Sequence, residues 1–108
     1  MIEVVDTQGL DEGIQASEQR RVFIFKHSTA CPVSSRALAE VTRYAGSDNA
    51  LPVYLVKVIE SRPVSNAIAE RLGIPHQSPQ VLLLDDGHVT WHVSHLAITA
   101  RAMAHAAD

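Results

Sequence analysis

Two short apolar runs, with a helical pattern between them, constrain this chain more than any other feature. Residues 21–26 carry Val22-Phe23-Ile24-Phe25 between charged ends, a β-rich run that reads as a buried strand. Residues 51–59 form a second run, apolar on both faces except at Lys57, as a central parallel strand requires. Between them Val33, Ala37, Leu38, Val41 and Ala45 recur at helical spacing, with Pro32 suited to the first helical position and Gly46 to the stop. A parallel pair cannot be joined by a tight turn, so this helix must be a crossover, and crossovers are right-handed.

The flanking pattern extends the plan. Residues 7–19 place Leu10, Ile14 and Ser17 on one face of a helix weakened by Gly9 and Gly13, and a short strand at 3–5 precedes it. Arg62-Pro63 opens a helix bearing Val64, Ala67, Ile68 and Leu72, which Gly73 and Pro75 close. Residues 80–84 and 88–93 flank Asp85-Asp86-Gly87, and Asp-Gly supplies the positive φ angles of a type I′ hairpin turn. Thr99 can cap a last Ala-rich helix. The expected fold is α/β: one domain over residues 1–108, a mixed sheet flanked by helices, with the hairpin as its antiparallel edge. That is the thioredoxin-like arrangement.

The chain has 108 residues, a length that fits one domain; 46% are apolar and 19% charged, a globular balance rather than a disordered one. The net charge of −3 argues against non-specific nucleic-acid binding, which needs a basic surface. The N-terminus shows no secretory signal, and no apolar run approaches the roughly 20 residues of a spanning helix. The expectation is a cytoplasmic protein without a membrane or nucleic-acid partner.

There is one cysteine, Cys31. It excludes an intrachain disulfide, and equally a metal site built by one chain from several thiolates. What remains is an inert packed thiol or a reactive one. The placement favours reactivity, because Cys31 follows a buried strand and opens a helix whose unpaired N–H groups and dipole favour a thiolate. A free thiol with a pKa of about 8.5 is only about 3% ionised at neutral pH, so such help matters. Ser34 stands three residues on, where Cys-x-x-Cys proteins carry a resolving thiol. It can donate a hydrogen bond to the Cys31 sulfur but cannot form the disulfide; equally, it reads as an ordinary first-turn residue. The spacing therefore predicts one-thiol chemistry: attack, a mixed disulfide, and release by an outside thiol.

Other features are weaker. Pro79, after Ser78, starts a strand, where a missing N–H is tolerated; composition favours a trans bond there. His92 and His95 lie at odd spacing on the last strand and face opposite ways. His88 and His92 share a face but stand about 13 Å apart, at about 3.3 Å per residue. Neither pair chelates, and no metal is expected. Lys26 and Arg62 could attract the carboxylates of a small thiol, but each reads first as a solvated charge.

Several runs resemble the YtxJ-type monothiol bacilliredoxins, thioredoxin-like proteins linked to the small thiol bacillithiol. They are Lys26-His27-Ser28-Thr29 leading into Cys31-Pro32-Val33-Ser34, then Arg62-Pro63-Val64-Ser65-Asn66-Ala67-Ile68-Ala69, His76-Gln77-Ser78-Pro79-Gln80 and Trp91-His92-Val93-Ser94-His95, spread over residues 23–99. The resemblance implies Cys31 as the catalytic thiol with Ser34 beside it. It implies a cis bond at Pro79, and a substrate-binding surface of Pro32, Ser78 and Pro79, with the Ser78 backbone pairing to the bound thiol or peptide. The implied partners are S-bacillithiolated client proteins, and the implied co-substrate is bacillithiol, with no bound cofactor. Bacillithiol or a downstream reductant would regenerate Cys31. A different class remains open: a non-catalytic peptide-binding or adaptor module of the same fold.

Overall fold

The two apolar runs become neighbouring strands at the centre of a five-stranded sheet ordered β1-β3-β2-β4-β5. The computed structural model describes residues 1–108, and its elements follow the chain order read above. They are β1 (Ile2–Glu3), α1 (Thr7–Ala16), β2 (Val22–His27), α2 (Pro32–Ala45), β3 (Val53–Lys57), α3 (Arg62–Leu72), β4 (Gln80–Asp85), β5 (His88–Ser94), a 3₁₀ turn at His95–Ala97 and α4 (Ala100–Ala107). β3 runs parallel to both β1 and β2; β4 is antiparallel to β2, and β5 to β4.

Alternation along the strands builds two cores. Phe23, Phe25, Val81 and Leu83 face one way, under Ala37 and Val41 of α2 and Met103 of α4. Val22, Ile24, Leu82 and Leu84 face the other, under Leu10 of α1 and Val64 and Ile68 of α3. A fully buried side chain of this kind contributes about 1.5–3 kcal/mol, which is why the sheet is covered on both faces. On the first face the Phe23 ring meets Tyr44 edge-on at 5.1 Å and Trp91 of β5 at 6.2 Å.

Local chemistry sets the element ends. Asp86 and Gly87 take φ angles of 51° and 80°, forming the two-residue turn expected between β4 and β5. Gly73 ends α3 at φ 71°, in the left-handed region that costs other residues about 1–2 kcal/mol. Gly46 ends α2 while remaining right-handed, so the stop there does not use glycine's freedom. The Asp6 side chain caps α1, and Thr99 Oγ1 caps α4 by accepting from Ala102 N at 3.0 Å. α1 stops at Ala16, short of the expected residue 19, and the Ser17 hydroxyl at its end turns back to donate to Ile14 O. Its oxygen also accepts from Gly87 N, tying the hairpin tip to the end of α1. The first strand is Ile2–Glu3 rather than 3–5; Val4 still donates to Leu55 O at 2.8 Å and turns its side chain into the second core. No helix is long and apolar enough to cross a membrane.

Candidate active site

The sheet register brings four connections to one end of the sheet. Lys26 pairs with Gln80, so the exit of β2 lies beside the entry of β4. His27 pairs with Lys57, which adds the exit of β3, and Gln80 pairs with Ser94, which adds the exit of β5. Cys31 follows the first of these points, Glu60 to Arg62 the second, Ser94-His95 the third, and Ser78-Pro79 immediately precede β4.

Cys31 is the N-cap residue of α2, in extended conformation, with Pro32 at the first helical position. Its thiol is half-buried and makes no capping hydrogen bond. The backbone N–H groups of Val33 and Ser34 have no partner in the chain, so donors of the first turn stand free at the base of the thiol. A shallow cavity of about 390 Å³ opens over Thr29, Ala30, Cys31, Pro32 and Ser35. A larger one, about 440 Å³, lies at the opposite end against α1, α3 and Gly87; its lining includes Asp11, Ile14 and Arg71 but no thiol or imidazole.

Of the two readings open for Ser34, the structure shows the first-turn residue bonded to the backbone. It is fully buried, and its hydroxyl does not bond the Cys31 sulfur. Ser34 Oγ instead accepts from Ser28 N at 2.9 Å and lies 2.7 Å from His27 Nδ1. One oxygen thus joins the end of β2, the loop that leads to Cys31, and the first turn of α2. The reason is geometric: a first-turn side chain at this position points inward, toward the sheet. Burial holds the His27 imidazole below its ordinary range; the Ser34 backbone and the charge of Glu60 oppose this, and Lys57 adds to it. His27 is therefore neutral at neutral pH, and Ser34 can donate to its Nδ1 while accepting from Ser28. Replacing Ser34 with alanine strands a half-buried N–H and a buried imidazole nitrogen. The expected loss is about 1–2 kcal/mol of stability, measured by denaturant unfolding, with the m-value unchanged.

Lys26 departs from expectation. It is fully buried rather than solvated, with Nζ donating to Ser65 O of α3 at 3.3 Å. Burial lowers its pKa to about 8. The signal was present in the sequence. In a strand covered on both faces, Lys26 continues the inward row of Val22 and Ile24. Arg62, by contrast, is exposed as expected.

The Ser78–Pro79 bond is cis. Pro79 is buried, and its carbonyl accepts from His95 N at 3.1 Å. The backbone N–H and C=O of Ser78 make no hydrogen bond within the chain, so they remain free for an extended partner. The Ser78 hydroxyl is buried without a partner. His95 was expected on the last strand; it stands beyond the end of β5, at φ 55°, in the 3₁₀ turn. Thr29 Oγ1 donates to the Glu60 carboxylate, at 3.1 Å to Oε2, joining the Cys31 loop to the start of α3. Sequence reading had no access to that pair, because neither residue shows a distinctive pattern. The arrangement has the parts of a thiol-exchange site: a half-buried sulfur at a helix start, free backbone donors below it, and an unpaired strand entry at the same end of the sheet.

Comparison with known proteins agrees with this geometry. A family model described as monothiol bacilliredoxin BrxC matches residues 2–103. A solved structure described as a candidate oxidoreductase with a thioredoxin fold is similar at TM-score 0.87 and 26% identity, covering 99% of this chain and 93% of that one. The thioredoxin of Fasciola hepatica superposes at TM-score 0.79 with 12% identity, over 98% of this chain and 95% of its own. Mitochondrial thioredoxin 3 of Saccharomyces cerevisiae does so at 0.72 with 16% identity, over 99% and 92%. The last two share the fold alone.

Proposed function

The chain belongs to the monothiol bacilliredoxin family, and on that premise we propose that Cys31 removes bacillithiol from protein mixed disulfides. Family and fold together support a thiol oxidoreductase. The observation that carries the finer reading is the chain's one thiol, set at the start of α2 with a buried serine in the resolving position. Such a site can accept one small thiol and cannot release it by itself.

The steps balance as two exchanges. The Cys31 thiolate attacks the bacillithiol sulfur of the client disulfide. The client sulfur leaves as a thiolate and takes a proton from solvent, while Cys31 now carries bacillithiol. A second thiol, either bacillithiol or a reductant, attacks that bacillithiol sulfur and restores the Cys31 thiolate. Bacillithiol is thus a co-substrate, and no bound cofactor is required. The N–H groups of Val33 and Ser34, free of partners in the chain, stand at the start of α2 beside the reacting sulfur. Pro32 and the cis-linked Pro79 shape the docking surface, and the free backbone of Ser78 pairs with the client or the thiol. Ser34 acts on the sulfur indirectly, by fixing the loop that carries it. A reducing compartment such as the cytoplasm suits this cycle, because thiols are maintained there.

Intact-mass analysis tests the reading. Reduced protein is mixed with a client bearing bacillithiol, and in parallel with the same client bearing glutathione. The expected result is transfer of the bacillithiol mass to this chain with little transfer from glutathione; the adduct has one possible site. Equal transfer from both would leave a generic exchanger. No transfer, with stable client binding by a Cys31→Ala protein, would establish the adaptor instead.

A further inference from the structure

Two cationic side chains and a neutral imidazole meet at the start of α3 without a carboxylate to answer them. Lys26 reaches the first turn from inside, through Ser65 O. His76, in the loop leading to Ser78 and Pro79, reaches the same residue from outside, with Nδ1 3.4 Å from Ser65 Oγ. Arg62 opens the turn and is exposed. Partial burial of the His76 ring, then the charges of Lys26 and Arg62, hold its pKa below the ordinary imidazole range. The ion pairs of the chain join Arg43 to Glu40, Lys57 to Glu3 and Arg71 to Asp11, and none involves these three residues. Glu60, the acid nearest in sequence to Arg62, already accepts from Thr29.

A buried ammonium whose partner is one carbonyl leaves its charge uncompensated, and a low-dielectric wall projects that potential outward. Here the wall faces the active-site end of the sheet. The Thr29–Glu60 contact links the Cys31 loop to the segment just before Arg62, and His76 lies two residues before Ser78. We propose that Arg62 and His76, backed by the buried charge of Lys26, form a carboxylate subsite that selects anionic small thiols for exchange at Cys31. The subsite rests on the reading that a small-thiol disulfide docks there, and it adds what part of that thiol is recognised. Arg62 and His76 make the contacts, and Lys26 contributes potential only, since it is closed off from solvent.

A binding measurement separates the subsite from turnover. Cys31→Ser protein is titrated with bacillithiol disulfide, which carries carboxylates, while the ring signals of His76 are followed by NMR. The expected result is a saturable shift of those signals, with affinity falling about tenfold in a protein that also carries Arg62→Gln. Cystamine, a disulfide whose ends are ammonium groups, is expected not to saturate. Equal affinity with and without Arg62, saturation by cystamine at the same strength, or no binding of bacillithiol disulfide would each overturn the subsite. Transfer from a client by the unaltered protein is scored separately. Binding without transfer would refute the proposed reaction and keep the subsite; transfer with no effect of Arg62→Gln on affinity would do the reverse.

Discussion

A Cys31→Ser protein is expected to lose bacillithiol transfer by on the order of a thousandfold or more, and to unfold at a slightly higher temperature than the parent. The first effect follows from the nucleophile. A serine hydroxyl at a helix start has no adjacent base to activate it, since the imidazole of His27 is occupied by Ser34. The second follows from position. Cys31 is an N-cap residue that makes no capping hydrogen bond, over a first turn with free N–H groups. Serine is among the preferred N-caps, and the exchange is expected to add about 0.5–1 kcal/mol. Calorimetry and the intact-mass assay on the same sample read both effects. Residual transfer near the parent rate would exclude Cys31 as the nucleophile, and a lowered unfolding temperature would show that the thiol itself supports the fold.

Lys26→Met is expected to stabilise the protein by roughly 2–3 kcal/mol at pH 7. Lys26 is fully buried, and its pKa falls from the ordinary 10.5 to about 8. Folding therefore disfavours the ammonium that the unfolded chain carries freely. The dependence on pH has a definite sign. Below about pH 8 both states hold the proton and the parent bears the whole penalty. Between about 8 and 10.5 the unfolded state binds more protons, so the parent gains stability as pH rises. The advantage of methionine, close in volume and able to fill the same slot, is expected to shrink across that window. Thermal unfolding at pH 7 and pH 10 checks this, at about 4–8 °C per kcal/mol in a domain near this size. A methionine variant that unfolds at or below the parent temperature at pH 7 would mean that the ammonium is compensated. The same substitution should also weaken binding of the anionic disulfide.

The frame of the molecule was legible because local and long-range signals agreed. The runs around Phe23 and Val56 could only be buried strands, Pro32 and Pro63 could only sit near helix starts, and Asp86-Gly87 could only turn. What was not legible depended on which way one side chain pointed. Ser34 read equally well as a partner of the sulfur or as a first-turn residue, and the choice came from how α2 sits on β2. Lys26 was misread because charge was given more weight than the alternation of its strand. His95 was placed on a strand that ends one residue earlier. The cis bond at Pro79 came from resemblance, since nothing local distinguishes it from the commoner trans form.

The aromatic cluster on the first face has a practical consequence. Trp91 is the chain's one tryptophan, and its ring packs edge-on against Phe23 in the core. It precedes the active-site end of β5 by three residues, about 10 Å along the strand. The intrinsic emission of this protein therefore reports cohesion of the sheet through the Trp91–Phe23 contact. Denaturation can be followed optically while Cys31 is free, blocked or carrying a small thiol, and the three curves compared to read what the adduct does to the sheet.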